Sequence, residues 1–353
     1  MRNVIKVISV IIGTVIGAGF ASGQEIYTFF FSYGINGLFG IIFSGFIMGS
    51  VIYKTFKIME NNNINTYDEF LNNLIKNNKL KNFTDILINI FILISFYIMI
   101  AGFGAYLEQE YKINSILGSS ILAMICYIIF STNLRGVIKV NQFLIPLIIG
   151  VIIIIGIFNL ASIDFKNMNE YVLNVKQGNW LISSIIYASY NSILLIPILI
   201  TMKEYIKKEK HIRYISIIST VIIISLLIII YMFLINVDVD IKQLEMPAIY
   251  VIQKISPQIK IIYGIIILIS ILTTAISLGT GILNNISKNK KQYKKLNILI
   301  CVTAIFFSKI GFSKLVNLLY PILGGLGLIQ ILQILLKNIA KKDKNWYNIN
   351  NKR

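Results

Sequence analysis

Apolar residues dominate this chain in long runs, not in strict alternation. Ten such segments can be marked, at about 4–33, 36–57, 84–108, 114–133, 137–161, 178–202, 212–236, 259–286, 296–312 and 314–337. Most are about 20 residues or longer, the length a helix needs to cross the hydrocarbon core of a bilayer. Membrane-spanning β-strands would be shorter and would alternate apolar with polar positions. The pattern predicts an all-α polytopic membrane protein of about ten transmembrane helices, in one domain over 1–337, with a polar tail over 338–353. Two connections carry structure of their own. The asparagine-rich stretch 60–83 holds a short amphipathic segment, and 237–258 predicts one or two short helices flanking Pro247.

The first segment stops behaving as an ordinary membrane helix halfway along. It reads VISVIIGTVIGAGFASGQEIYTFFF from Val7 to Phe31, with Gly13, Gly17, Gly19 and Gly23 crowding its middle. Each glycine costs a helix interior about 1 kcal/mol relative to alanine, so Gly17-Ala18-Gly19 is the weak point. It falls roughly 20 Å along the axis from Val4 at 1.5 Å per residue, in the middle third of a bilayer. Unwinding there frees carbonyls from one half-helix and heads the next with the amides of Phe20, Ala21 and Ser22. Free backbone groups survive at that depth only beside a cavity or a ligand, and the positive end of the second half-helix attracts a carboxylate. The alternative is close helix packing, because Gly13-x-x-x-Gly17 and Gly19-x-x-x-Gly23 are both small-x-x-x-small patterns.

Ten helices divide into five plus five, about 4–161 and 178–337, and the two halves then run in opposite senses across the membrane. An inverted repeat of this kind predicts a second interruption in helix 6. That segment reads GNWLISSIIYASYNSILLIPILI, where Ala188, Ser189, Tyr190, Asn191 and Ser192 break an aliphatic run and Pro197 follows. Helix 8 contributes Ser270, Thr273, Thr274 and Ser277 at spacings of 3 and 4, so four hydroxyls share one face. Hydroxyls with freed carbonyls are hard oxygen donors that suit an alkali cation. Back-bonding of each hydroxyl to its own helix is the competing explanation. Glu25 is the ionisable residue that stands clearly inside an apolar span, where a carboxylate is costly and usually functional. Three roles stay open: proton coupling, an outer gate paired with Lys309 or Lys314, or a vestibule charge in water. Pro146 and Pro321 read as kinks, and Gly324-Gly325-x-Gly327 in helix 10 reads as either a flexing point or tight packing.

Composition agrees with the pattern. Mean hydropathy is +0.76 and only 14% of residues are charged, where soluble domains carry about a quarter. The net charge of +18 would suggest nucleic acid in a soluble protein. Here 25 of the 33 Lys and Arg fall on one side of the predicted membrane when the N-terminus is placed in the cytoplasm. The bias is the positive-inside rule, with both termini cytoplasmic, and no loop mixes aromatic and basic residues as a single-strand binder would. The basic start of the chain resembles a signal peptide, but the apolar run continues through Tyr27–Phe31 and cleavage is not expected. Cys126 and Cys301 predict free buried thiols, and His211 a solvated residue of a basic loop. No nucleotide loop, helix-borne H-E-x-x-H or G-x-S-x-G occurs, so the chain does not read as an enzyme. The central spans hold no Arg, Lys or His, which favours a neutral or zwitterionic solute over an anion.

The stretches GTVIGAGFASGQEI and FFSYGINGLFG closely resemble the start of the YkvI-like membrane proteins of Gram-positive bacteria, within the amino acid–polyamine–organocation (APC) superfamily. The resemblance implies the LeuT-type fold, a 5+5 inverted repeat with helices 1 and 6 broken. It implies a substrate site at Gly17, Ala18, Gly19, Phe20 and Ala21 facing Ala188, Ser189, Tyr190 and Asn191. It also implies a sodium site in which Ser270, Thr273 and Thr274 meet the carbonyls of Gly13 and Ile16. Some proton-coupled relatives place a lysine in mid-helix 5, where this chain has only Lys139 at the helix end. The expected function is a secondary active transporter working by alternating access in the cell membrane. It would move a small neutral or zwitterionic solute, an amino acid first, with sodium or protons as coupling ion and no other cofactor. A nutrient or germinant sensor of the same fold, which binds without concentrating, is the alternative. Expected partners are the solute and the lipid bilayer; nothing in the sequence bears on oligomeric state.

Overall fold

The structure is a computed structural model that describes residues 2–75, 77–132, 137–160, 178–206, 208–235 and 243–337. Every apolar run becomes helix. In chain order these are α1 (Arg2–Val15), α2 (Ala18–Ser22), α3 (Gln24–Phe29), α4 (Ile35–Asn62), α5 (Tyr67–Leu74), α6 (Asn78–Tyr111) and α7 (Ser115–Thr132). There follow α8 (Val137–Leu160), α9 (Trp180–Thr201), α10 (Glu209–Ile235), α11 (Pro247–Ile255), α12 (Pro257–Ile286), α13 (Lys290–Ser308) and α14 (Phe312–Leu336). By length and composition, α4, α6, α9, α10, α12 and α14 are long and apolar enough to cross a membrane. The outward faces agree with that: Phe39, Phe46, Met124, Ile157, Ile217, Phe306 and Leu318 are all exposed, an apolar surface that a soluble protein would bury.

Small residues set the helix contacts, as expected where lipid supplies no hydrophobic drive between helices. A methyl on Gly49 of α4 would lie 2.0 Å from Thr220 Oγ1 of α10, and one on Gly264 of α12 would meet Tyr106 of α6 at 1.9 Å. The same holds for α14, where methyls on Gly324 and Gly327 would meet Ile186 O at 2.5 Å and Ile193 Cδ1 at 2.2 Å, both on α9. Gly324 and Gly327 are therefore packing positions, while a methyl on Gly325 would meet nothing within 4 Å.

The polar connections also acquire structure. In α5 a capping box pairs the Thr66 side chain with the Glu69 amide and the Glu69 carboxylate with the Thr66 amide. Its tyrosine hydroxyl, Tyr67, accepts from Gln330 Nε2 at 3.1 Å, and Lys203 donates to Ile64 O at 2.7 Å and Asn65 Oδ1 at 2.8 Å. The segment around α5 thus ties the ends of α9 and α14 together. At the other end of the bundle, Pro247 opens α11 at its first turn, where proline's missing N–H costs nothing.

Two expectations need correction. Helix α9 is continuous from Trp180 to Thr201, with no interruption at Ala188–Ser192. The segment has no glycine to weaken it, and the helix stays unbroken although the hydroxyls of Ser189 and Ser192 are buried without a hydrogen-bond partner. Asn191 Nδ2 donates to the Tyr187 carbonyl at 3.1 Å and Ser184 Oγ to the Trp180 carbonyl at 2.6 Å. Pro197 removes one helix donor only a turn before α9 ends. His211 lies in the first turn of α10 and is half-buried, so it is no solvated loop residue. Cys126 and Cys301 are buried and free. The side chain of Lys139 and the tail 338–353 lie outside the described residues.

Candidate functional site

The first apolar run is interrupted twice. Helix α1 ends at Val15, and Gly17 is extended at φ −98°, ψ −171° before α2 begins. The chain then turns left-handed at Gly23, φ +85°, before α3. The bonds that bridge the first break are Ile16 N–H to Ile12 O at 2.9 Å, Gly17 N–H to Val15 O at 3.0 Å and Ala21 N–H to Gly17 O at 3.0 Å. None of the backbone bonds across it uses the carbonyls of Gly13, Thr14 or Ile16, or the amides of Ala18, Gly19 or Phe20. Unwinding has therefore left carbonyls on one side and amides on the other, and α2 is held in place by Tyr263 of α12, whose hydroxyl donates to Ala21 O at 2.6 Å.

The glycines can now be assigned. A methyl on Gly17 would make only an ordinary 3.7 Å contact with Met99 Cε, so no helix packs against it. Gly23 is required by its positive φ, a region that side-chain-bearing residues avoid. A methyl on Gly19 would lie 2.3 Å from Oε1 of Glu25, 2.7 Å from its Cγ and 2.8 Å from its Cδ. Gly19 leaves room for a carboxylate of the same chain, and the close-packing explanation does not apply to it.

A straight helix would carry Glu25 roughly 9 Å beyond Gly19 at 1.5 Å per residue. The straight-axis count assumed one continuous helix, and the left-handed turn at Gly23 folds α3 so that its first-turn carboxylate points back at α2. Only 3% of Glu25 is exposed. Its carboxylate lies against Gly19 and within hydrogen-bonding reach of the Phe20 amide. It accepts from the hydroxyl of Tyr190. Among the described residues no cationic side chain pairs with it, and Lys309 instead lies over the Phe306 ring at 5.3 Å, which removes Lys309 as gate partner.

Around this carboxylate stands a set of aromatic rings from α3, α6, α9 and α14. Tyr190 is 2% exposed and stacks on Tyr320 at 4.7 Å and 15°, and on Phe29 at 5.5 Å and 27°. Tyr187, fully buried, stands perpendicular to Tyr190 at 5.3 Å. Phe91 closes the lower side, stacked on Tyr190 at 6.5 Å. Directly beyond Phe91 a cavity of about 20 Å³ opens between α6, α9 and α14, lined in part by Thr84, Phe91, Ile193 and Gln330. Of the expected site residues on α9, Ala188, Ser189, Tyr190 and Asn191 are all buried. Tyr190 is the one whose side chain bonds to Glu25 of α3, beside the α2 break. The aromatic members, Tyr187, Tyr320, Phe29 and Phe91, were not anticipated from sequence; aromatic side chains in apolar spans carry no periodic signal that separates a cage from ordinary core.

The opposite face of the break looks toward α12. The Tyr263–Ala21 bond joins α12 to α2. Ser270 is 3% exposed and its hydroxyl has no hydrogen-bond partner. Thr273 is buried and bonds back to Ser270 O at 3.2 Å, while Ser277 bonds back to Thr273 O at 2.8 Å. Thr274 is only half-buried. Back-bonding thus accounts for Thr273 and Ser277, and leaves Ser270 unexplained by it.

A lid closes the end where α2 meets α3. Gln24 Nε2 donates to the Leu244 carbonyl, and Met246 exchanges two bonds with Gln109, at 2.9 and 3.2 Å. Glu245 Oε2 accepts from the Ser313 amide at the start of α14 at 2.6 Å, and Lys260 pairs with Glu110 at 2.7 Å.

The fold is that of LeuT-type membrane transporters. The structure aligns with MhsT, solved in complex with L-phenylalanine, at a TM-score of 0.64 and 14% identity, over 92% of this chain and 87% of that one. A Na⁺-coupled sialic acid symporter, solved substrate-bound and outward-open, aligns at 0.58 and 13% identity, over 95% and 79%. In sequence the chain is homologous to two proteins of Bacillus subtilis (strain 168), the uncharacterized membrane protein YkvI and the uncharacterized protein YyaD. Each is 26% identical, over 342 and 350 residues, covering 94% and 97% of this chain and 95% and 99% of the relatives. No family model matches the chain. The homologues are thus membrane or uncharacterized proteins and the structural neighbours transporters, which accords with a protein that is not an enzyme.

Proposed function

We propose that the chain is a secondary active transporter of the APC superfamily, working by alternating access in the cell membrane with both termini cytoplasmic. Its ten segments would form a 5+5 inverted repeat over about 4–161 and 178–337. The observation that carries this reading is the double interruption of the first helix against Tyr190 of α9, which leaves backbone donors and acceptors free at the centre of the bundle. Such groups are tolerated at membrane depth where they serve a ligand, and discontinuous helices are where transporters hold their solutes.

The solute expected from sequence is small and neutral or zwitterionic, an amino acid first, because the central spans lack basic residues. Glu25 strengthens the exclusion of anions and adds a requirement for an amino group, which would sit against its carboxylate within the tyrosine rings. Gly17, Ala18, Gly19, Phe20 and Ala21 with Ala188, Ser189, Tyr190 and Asn191 form the proposed solute site. For the coupling ion, Ser270 with the free carbonyls of Gly13 and Ile16 supports sodium, with Thr273 and Thr274 completing the set on a small rotation. Protons carried by Glu25 are the other possibility that the geometry supports.

Reconstitution in vesicles tests the function. A transporter concentrates labelled amino acids or simple amines when a sodium or proton gradient is imposed. Saturable binding with no gradient-driven accumulation for any of them would refute transport and favour a sensor.

A further inference from the structure

Away from the broken helix, α4 and α10 enclose a groove that the proposed solute path does not use. The two helices run antiparallel: a methyl on Gly45 would meet Ile224 Cγ1 at 2.3 Å, one on Gly49 would meet Thr220 Oγ1 at 2.0 Å, and Lys57 pairs with Glu209 at 2.5 Å. Lys54 and Arg213 therefore stand at one level, beside a cavity of about 470 Å³ that they line together with Tyr53, Phe46, Ile217 and Val221. Phe46 and Val221 lie in the same direction from this pair, each eight residues from the cation of its own helix, or roughly 12 Å at 1.5 Å per residue. That is most of one leaflet's hydrocarbon, about 15 Å deep. Phe46, Ile217 and Val221 are all exposed, so the groove opens outward toward lipid.

The cations at its head are not balanced by protein, although the neighbouring Lys57 is, held by both Glu60 and Glu209. Lys54 donates to the Leu335 carbonyl near the end of α14, a neutral acceptor that leaves its charge and two of its three protons unused. Arg213 is exposed, and among the described residues it makes no hydrogen bond or ion pair; Glu209, one turn before it, is taken up by Lys57. The Tyr53 hydroxyl likewise bonds to none of the described residues.

We propose that this groove binds one anionic glycerophospholipid, its phosphate between Lys54 and Arg213 and an acyl chain along Phe46, Ile217 and Val221. The guanidinium fork suits two phosphate oxygens at once, and the ammonium supplies a point charge beside it. The Tyr53 hydroxyl is a third donor at the same level. A zwitterionic lipid carries its own cation next to its phosphate and gains less from the pair. A soluble phosphate leaves the apolar wall unused. Because Lys54 is also bonded to the end of α14, the bound lipid ties α4, α10 and α14 together at one end of the bundle. The inference needs the chain to sit in a bilayer and is independent of what it transports.

Native mass spectrometry of the full chain in a non-ionic detergent counts lipid adducts directly. Dioleoyl phosphatidylglycerol is titrated against dioleoyl phosphatidylcholine, which has the same chains and no net charge. The expected result is a single phosphatidylglycerol held roughly tenfold more tightly than phosphatidylcholine, the scale of two cations near a membrane surface. Lys54→Gln combined with Arg213→Gln should bring the two lipids within about twofold of each other. Lys290→Gln combined with Lys291→Gln, which removes the same charge from exposed positions of α13, should leave the preference intact. If the first pair does not fold, Val221→Trp decides instead: it fills the apolar wall, leaves both cations, and should weaken phosphatidylglycerol by roughly fivefold or more. Glycerol phosphate in large excess should not displace the lipid. Equal binding of the two lipids, a preference that survives loss of both cations or filling of the wall, a preference lost as fully in the α13 control, or displacement by glycerol phosphate would each overturn the proposal.

Discussion

Gly19→Ala is the sharpest test of the geometry because two effects oppose each other in sign. Alanine is the better helix former by about 1 kcal/mol, so propensity alone predicts a slightly more stable protein. The structure predicts the reverse. The new methyl would lie 2.3 Å from Glu25 Oε1 and 2.7 Å from Glu25 Cγ. Ordinary contact begins near 3.5 Å, so the side chain must retreat by about 1 Å along its length, and Cγ is not a free end. That retreat breaks two bonds of a buried carboxyl group, to the Tyr190 hydroxyl and the Phe20 amide, together about 1.5–3 kcal/mol. The net is a destabilisation of roughly 0.5–2 kcal/mol, seen as a melting temperature lower by about 1–4 °C. Gly17→Ala is the internal control, since its methyl meets only Met99 at 3.7 Å and its backbone is extended. It should melt within about 1 °C of wild type. Differential scanning fluorimetry of the three proteins in one detergent reads the order directly. A Gly19→Ala protein as stable as Gly17→Ala, or more stable than wild type, would refute the placement of the Glu25 carboxylate against α2.

Other consequences follow from particular residues. Gly23→Ala forces a side chain into φ +85° and brings it 3.3 Å from Leu234, so a loss of about 1–2 kcal/mol is expected on thermal melting. Ser270→Ala should remove any sodium-dependent rise in melting temperature, while Ser277→Ala, whose hydroxyl is already bonded within its helix, should leave it in place; an unchanged sodium response in Ser270→Ala would rule out that ion site. Lys203→Met removes two bonds to the segment before α5, at 2.7 and 2.8 Å. Hydrogen exchange over 64–75 should then speed up by roughly fivefold, the equivalent of about 1 kcal/mol of local opening, with exchange in α6 unaffected. Burial lowers the Lys203 ammonium below the usual lysine range, against the opposing pull of Glu69. The folded state thus binds its proton less tightly than the unfolded chain, and this contribution to stability grows as pH rises from the folded toward the ordinary lysine value.

How much of this was legible beforehand differs by feature. The helical segments were plain, because a long apolar run in a membrane protein has a single solution. The break in the first helix was also visible, since Gly17 and Gly19 weaken a helix whatever surrounds them. The matching break in α9 was inferred from symmetry, and symmetry was the wrong guide there. Without a glycine the run Ser189-Tyr190-Asn191 keeps its helical bonds, and the Tyr187 carbonyl takes up the Asn191 amide within the helix. Glu25 was misplaced for a related reason. A rise of 1.5 Å per residue holds only along an unbroken axis, and the glycine that was counted as a packing residue at position 23 carries the positive φ that ends the axis. The tyrosine and phenylalanine rings stayed hidden because their spacing along any one helix is that of ordinary core.

The two sides of the first break share one small element, and this bears on coupling. Helix α2 has five residues. Its leading amides lie beside Glu25, its Ala21 carbonyl is held by Tyr263 of α12, and the carbonyls of Gly13 and Ile16 just before it take no backbone partner across the break. A cation drawn to Gly13, Ile16 and Ser270 would fix the end of α1 relative to α12. A solute held at the α2 break and Tyr190 would fix α3 relative to α9. Because α2 connects these two bodies through Gly17 and Gly23, ordering either side reduces what remains to be ordered when the other ligand binds. Positive cooperativity between sodium and solute follows, and by linkage it must be equal in both directions. Sodium should raise solute affinity by the same factor by which the solute raises sodium affinity. Two independent titrations, each repeated with the other ligand saturating, measure the two factors separately. Affinities for each that are indifferent to the other would mean that α2 does not join the two sites.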